Sequence, residues 1–183
     1  MKNLFLLILF MISIITKVTF ADSLDEAINN SDRTPLFAER DIYRNPKETL
    51  QFFGIKNDMS VIELWPSRGW YSEILEPYLS SEGKFLAADF DPNYASWTPK
   101  VIKRNTENRA KSKLLSNMKM ITLYIDDTPL ERKESVDMVL TFRNLHNWLK
   151  AGLLMDVFRK SYDVLKPGGI FGVVEHRAIP GTS

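Results

Sequence analysis

The stretch Val61-Ile62-Glu63-Leu64-Trp65-Pro66-Ser67-Arg68-Gly69-Trp70-Tyr71 decides how this chain is read. Val61 to Leu64 is a short run of strand length, of the kind buried in parallel sheets. Gly69 then opens a helix predicted over 69–79, in which Trp70, Ile74 and Tyr78, and the pair Tyr71 and Leu75, recur at helical spacing. A strand, a tight loop and a helix make the first half of a βαβ unit.

The alternation continues toward the C-terminus. A second strand is predicted over 84–88, running into Asp89-Phe90-Asp91-Pro92, then a basic, solvated helix over 103–115. Third and fourth strands are predicted over 120–125 and 136–141. A helix over 153–165 places Leu154, Val157, Phe158, Tyr162 and Leu165 on one face. Lys166-Pro167-Gly168-Gly169 turns it into a fifth strand over 170–174. Strands alternating with helices imply parallel pairing through right-handed crossovers. The expected fold is α/β, layered about a mostly parallel sheet.

Working back toward the N-terminus, Asn45-Pro46-Lys47-Glu48 is a helix start. Asn45 is placed to cap, Pro46 suits the first turn and Glu48 completes a capping-box pattern, with Gly54 as the stop. Residues 22–45 are polar without a clear period and read as an N-terminal extension holding one short helix near 24–30. Lys2, the apolar run Leu4 to Ile15, Lys17 and the small Ala21 read as a secretory signal peptide over 1–21. The run is about a dozen residues, short of the ~20 that span a bilayer. The expectation is a periplasmic or secreted protein with no stable membrane span after cleavage, and a domain over 46–183.

Composition narrows the function classes. The chain has 183 residues, 44% of them hydrophobic, enough for one packed domain. Lys and Arg number 24 against 23 Asp and Glu, a net charge of +1 that gives no footprint for nucleic acid. The absence of Cys excludes disulfides, thiolate metal sites and cysteine nucleophiles.

Ligands of open α/β sheets bind beyond the carboxyl ends of the strands. That rule selects 65–69, 89–91, Asp126-Asp127, 142–148 and 175–177. Glu63 ends the first strand, Gly69 opens the helix, and Asp89 follows the second strand. An acid about 20 residues on, in nucleotide-binding βαβ units, accepts hydrogen bonds from ribose hydroxyls. Asp89 or Asp91 equally suits a cap for the turn beside Pro92.

The strand–helix order, Glu63 to Gly69, Asp89, and Leu165-Lys166-Pro167-Gly168-Gly169 resemble a class I S-adenosylmethionine-dependent methyltransferase. Glu63-Leu64-Trp65-Pro66, Gly69-Trp70-Tyr71, Phe142-Arg143-Asn144-Leu145-His146-Asn147-Trp148 and Glu175-His176-Arg177 further resemble a branch of exported, methyltransferase-like bacterial proteins. The resemblance implies a Rossmann-like three-layer sandwich with strand order 3-2-1-4-5, and S-adenosylmethionine as cofactor. Glu63, Trp65, Ser67 and Gly69 would border its methionine part, Asp89 its ribose, Phe90 its adenine and Asp126 the adenine amino group. Arg143, Asn144 and His146 would face the sulfonium and a small-molecule acceptor.

Two departures stand out. The usual loop has three glycines; here those positions are Trp65, Ser67 and Gly69, and Pro66 removes a donor. The usual strands after the fifth are missing, which leaves an apolar edge. Either the chain continues beyond Ser183 or another copy covers that edge, a homo-oligomer.

In a displacement at a sulfonium the protein chiefly aligns the reacting atoms, and a base matters when the acceptor is protonated. His146 is the candidate base, and its bland role is to bond a carbonyl beside Trp148. Arg143 would clamp an anionic acceptor or pair with Glu175. Trp65, Trp70 and Tyr71 are core or substrate platform. His146, Glu175 and His176 would converge if the fourth and fifth strands are neighbours, but neither His lies in a compact ligand motif, so no metal is assigned. Two alternatives to the methyltransferase follow: a non-catalytic ligand-binding protein of the same fold, and a metal-assisted hydrolase.

Overall fold

The computed structural model describes residues 23–79, 82–177 and 179–181. The signal-peptide reading over 1–21 lies outside the described residues. Four short helices come first: α1 (Leu24–Ile28), α2 (Pro35–Ala38), α3 (Asp41–Arg44) and α4 (Pro46–Phe52). Then follow β1 (Ser60–Leu64), α5 (Ser72–Leu79), β2 (Lys84–Phe90), α6 (Thr98–Arg109), β3 (Met120–Leu123), β4 (Val136–Phe142), α7 (Leu145–Lys150), α8 (Leu154–Val164) and β5 (Leu165–Val174). The five strands form one sheet in the order β3-β2-β1-β4-β5, and every pairing is parallel. The expected α/β architecture and strand order are both present.

Strand periodicity sorts the core into two layers. Val61, Ala87, Met138 and Leu140 pack on α5 with Ile74, Leu75 and Leu79, and with Leu50 of α4. Ile62, Leu64, Leu86, Ala88 and Val139 face the opposite layer, with Trp148 of α7 and Val157 and Val164 of α8. The extension is tied to the first layer. Glu73 of α5 accepts from Thr34 N and Oγ1 at 2.8 and 2.7 Å, and Arg33 forks onto Asp41 at 2.6 and 3.0 Å.

Several element boundaries differ from expectation. The extension holds three helices, not one. Asn45 does not cap: it ends α3 in the left-handed region at φ 43°, and its side chain makes no capping bond. The helix after β1 begins at Ser72, because Pro66 to Tyr71 form turns. The helix expected over 103–115 is shifted to Thr98–Arg109. Pro99 lies in its first turn, and Thr98 Oγ1 accepts from Ala95 N at 3.0 Å. Its buried face (Thr98, Asn105, Arg109) is polar, so no apolar period marks it. α7 was not expected. Lys166 to Gly169 loop out between the Val136–Leu165 and Met138–Ile170 rungs, so the β5 ladder is irregular there.

Candidate active site

The loop after β1 holds the feature that organises the site. Trp65, Ser67 and Gly69 all have positive φ, at 49°, 54° and 90°. The left-handed region costs a non-glycine residue about 1–2 kcal/mol. The loop therefore keeps a glycine-type path although only Gly69 is glycine. A Cβ at Gly69 would meet only the movable end of Leu115, at 2.6 Å, so it is the φ of 90° that demands glycine there. Trp65 N donates to Ala88 O at 2.7 Å, which pins the loop to the end of β2.

Side chains below the loop fix its position. Glu63 is buried and accepts from Ser72 Oγ at 2.6 Å. Burial pushes its carboxyl up to about 7, against the Ser72 hydroxyl and the Arg109 charge, which pull it down. Asp89 is also buried. Its Oδ2 takes Arg109 Nη2 at 2.6 Å, and its Oδ1 accepts from Phe90 N at 2.9 Å. Arg109 Nη1 reaches Ser67 O at 2.6 Å, so one guanidinium joins the loop to the acid. The turn role belongs to Asp91, which accepts from Asn93 N and Ile125 N at 2.7 and 3.2 Å.

An aromatic cluster covers the other face of the loop. The Trp65 indole stacks on Phe90 at 4.1 Å between centroids and meets Trp148 edge-on at 5.5 Å. Trp97 and Tyr94 extend it. The indole N–H groups of Trp65 and Trp148 are buried with no acceptor.

Two clefts open on either side. The first, of about 270 Å³, is lined by Glu63, Trp65, Ser67, Arg143 and Asn144 among the expected residues, and by Arg40, Arg44 and Arg68. Trp70, Tyr71 and Phe142 form its wall, with Tyr71 and Phe142 stacked at 3.5 Å. The second, of about 620 Å³, is lined by Trp65, Ser67, Phe90, Tyr94, Trp97 and Asn144, with Arg104 and Lys150. Asn144 lines both clefts and anchors their floor, donating to Leu64 O at 3.2 Å and Thr141 Oγ1 at 3.0 Å.

Beyond the first cleft, the ends of β4 and β5 meet. His146 Nδ1 lies 3.1 Å from Glu175 Oε2. Burial raises the Glu175 carboxyl, but the His176 N–H and the His146 contacts outweigh it and hold the group below the usual carboxylate range. An ionised Glu175 accepts the Nδ1–H tautomer of His146 and leaves Nε2 as the free basic nitrogen. Arg143 pairs not with Glu175 but with His176, Nε to Nε2 at 3.0 Å. Donor atoms of His146, Glu175 and His176 all lie within 4.8 Å of one another. The Arg143 guanidinium beside this trio opposes a cation there. Asp126 is exposed and accepts from Thr128 N at 2.9 Å; like Gly69, Asp89 and His146, it lines neither cleft.

The sequence reading missed Arg109, Arg40 and Arg44. Arg109 sits one helical turn from Asn105, four residues back, and both are buried. The polar i, i+4 pair behind Pro99 was the available signal. No local signal marks Arg40 or Arg44, because the fold of the extension brings them to the cleft.

A family model described as "Methyltransferase domain" matches residues 67–173, more than half of the chain. No curated protein matches. Among solved structures, a SAM-dependent methyltransferase from Aquifex aeolicus is similar at 18% identity and TM-score 0.60, covering 87% of this chain and 78% of that one. TrmN from Thermus thermophilus is similar at 18% identity and TM-score 0.51, covering 83% of this chain and 41% of that one. The chain thus spans less than half the length of the second.

Proposed function

The chain belongs to the methyltransferase-domain family, and on that premise we propose that it transfers a methyl group from S-adenosylmethionine to a small-molecule acceptor. One observation carries the reading: the left-handed backbone at Trp65, Ser67 and Gly69. Two non-glycine residues hold this costly path, which indicates that the loop shape itself is needed. The donor set fits a nucleoside: an acid at the end of β2, an aromatic face beside it at Phe90, and the Asn144 amide between the two clefts. Each Asp89 oxygen accepts one bond, which leaves lone pairs for ribose hydroxyls. Phe90 fits an adenine once the Trp65 indole leaves its face.

When bound, the cofactor supplies a sulfonium methyl group for in-line transfer. The chain's own residues then bind and orient. Asp89 and Phe90 hold the nucleoside, and Glu63, Trp65 and Ser67 border the methionine end. Arg143 and Asn144 face the acceptor. His146, oriented by Glu175, takes the acceptor proton at Nε2.

The test is calorimetric titration of the full chain with S-adenosylhomocysteine, beside Asp89→Asn. Micromolar binding that weakens at least tenfold in the folded variant is expected. A folded wild-type chain that binds neither this ligand nor S-adenosylmethionine overturns the proposal.

A second reading, a non-catalytic binding protein, is favoured by the Arg109–Asp89 pair and the Trp65–Phe90 stack, which occupy the nucleoside's contacts. The metal-assisted hydrolase rests on His146, Glu175 and His176, with Arg143 against it. We also propose export, on the strength of Lys2, the apolar run 4–15 and Ala21. N-terminal sequencing of the protein recovered outside the cytoplasm should then begin at Asp22; an intact Met1 in cytoplasmic protein would refute it.

A further inference from the structure

The first cleft carries more charge than methyl transfer needs. Arg40 and Arg44 reach it from the extension, Arg68 from the loop after β1 and Arg143 from the end of β4. Among the described residues none of these four guanidiniums pairs with a carboxylate, whereas Arg33, Arg109 and Arg159 each do. Glu63 is the only carboxylate in the lining. It is buried behind Ser72, and burial favours its neutral form. Arg44 instead stacks on Trp70 at 4.6 Å, which fixes the plane of its fork and leaves its N–H edges for a ligand. Burial, followed by the charges of Arg40 and Arg143, lowers the Arg44 pKa, as expected where like charges converge unopposed.

The folded chain spends effort to hold this arrangement. Trp70 Nε1 donates to Phe37 O at 2.8 Å, and the Arg33–Asp41 fork clasps the same segment. These contacts hold α2 and α3 over the sheet ends. Arg40 and Arg44 lie in the N-terminal extension, before the matched residues 67–173.

We infer that this cleft binds the acceptor, and that the acceptor is a small molecule bearing at least two negative charges as phosphate or carboxylate groups. Guanidinium forks match both groups in bidentate geometry. The stacked Tyr71–Phe142 wall suits the body of the molecule, and a cleft of about 270 Å³ limits its size. The inference rests on the methyltransferase reading for the word acceptor, and on the four arginines for the charge.

The experiment titrates the full chain with inorganic pyrophosphate and, separately, with citrate, each with and without saturating S-adenosylhomocysteine. Arg40→Gln/Arg44→Gln is compared with the exposed control Arg132→Gln, and Arg68→Gln replaces the double variant if circular dichroism shows it unfolded. The better of the two anions, which tells phosphate from carboxylate, should lose about tenfold or more in affinity in the cleft variant, the size expected for charge-assisted bonds. Arg132→Gln should change nothing, and bound S-adenosylhomocysteine should leave the anion site open. Failure of both anions to bind, or equal weakening in the control, overturns the inference while S-adenosylhomocysteine binding stands. Exclusion of the anion by S-adenosylhomocysteine assigns the arginines to the cofactor's own carboxylate and overturns the acceptor assignment. Anion binding by a folded chain that binds no S-adenosylhomocysteine overturns the methyltransferase reading, and the acceptor assignment with it.

Discussion

On one side of the loop 65–69, Trp65, Phe90, Tyr94, Trp97 and Trp148 are turned on one another, and Asp89 is matched by Arg109. On the other side, four guanidiniums face a cleft without a carboxylate partner among the described residues. Both sides are built from the ends of the same strands. The aromatic side turns its rings on one another and matches its buried acid, and the cationic side leaves its four guanidiniums without a carboxylate. Four like charges converging on one cleft repel one another, and an anion bound there would relieve that repulsion. The aromatic side has its own loose end, the buried Trp65 and Trp148 N–H groups. Each such group costs about 1–3 kcal/mol.

The sharpest way to break this contrast is to unmatch the matched side. Asp89→Ala leaves Arg109 buried and unopposed, and should lower the urea-unfolding free energy by about 3–5 kcal/mol. Asp89→Ala/Arg109→Met should recover more than half of that loss. If the single variant costs less than about 1 kcal/mol, the pair is not buried charge and the side counted as satisfied is open after all.

Glu63, buried beneath the loop on the side of the first cleft, gives the next largest effect. Its folded pKa of about 7 stands above the ordinary 4.5. An acid raised in the folded state binds protons that the unfolded chain has released. Its stabilising contribution is therefore full below pH 4.5 and is lost as pH rises through 7. The shift corresponds to about 3 kcal/mol at most. Glu63→Gln keeps an acceptor for Ser72 Oγ and removes the titration. Relative to wild type, it should gain stability between pH 5 and pH 8 in urea unfolding. Glu76, also pushed to about 7 by burial, is partly exposed and should contribute less. Parallel pH profiles for wild type and Glu63→Gln would show that Glu63 is ionised in the folded protein at all these pH values.

Much of this molecule was legible in its sequence, for identifiable reasons. The central strands are continuous apolar runs, so β1, β2 and β4 followed from pattern, whereas the order 3-2-1-4-5 came with the family resemblance. Phe90, Trp65 and Asn144 sit at strand ends, and the strand-end rule located them in the cleft linings, while Asp89 at the end of β2 lines neither cleft. The polar face of α6 was not legible, because Arg109 is buried by pairing with Asp89 of β2 and not by an apolar stripe. The arrival of Arg40 and Arg44 was not legible either. It depends on Thr34 finding Glu73, 39 residues away, a contact no local period encodes. Asn45 misled because a residue that caps well also tolerates the left-handed region, and here the second property decided its role.

The smallest effect on stability belongs to the residue that separates the two clefts. Trp65→Gly removes a buried ring, a change that costs about 3–5 kcal/mol for aromatic truncation. It also relieves a left-handed residue at φ 49°, which returns about 1–2 kcal/mol, and deletes an indole N–H without an acceptor, which returns about 1–3 kcal/mol. These terms nearly cancel, so unfolding free energy should fall by only about 1 kcal/mol. Nucleoside affinity should respond in the opposite sense. With Phe90 uncovered, S-adenosylhomocysteine should bind at least tenfold more tightly in calorimetry, while pyrophosphate affinity on the arginine side stays within twofold. A variant that binds the nucleoside more weakly would mean that the indole is part of the nucleoside's platform and not its lid. The aromatic side would then be as much a ligand surface as the cationic one.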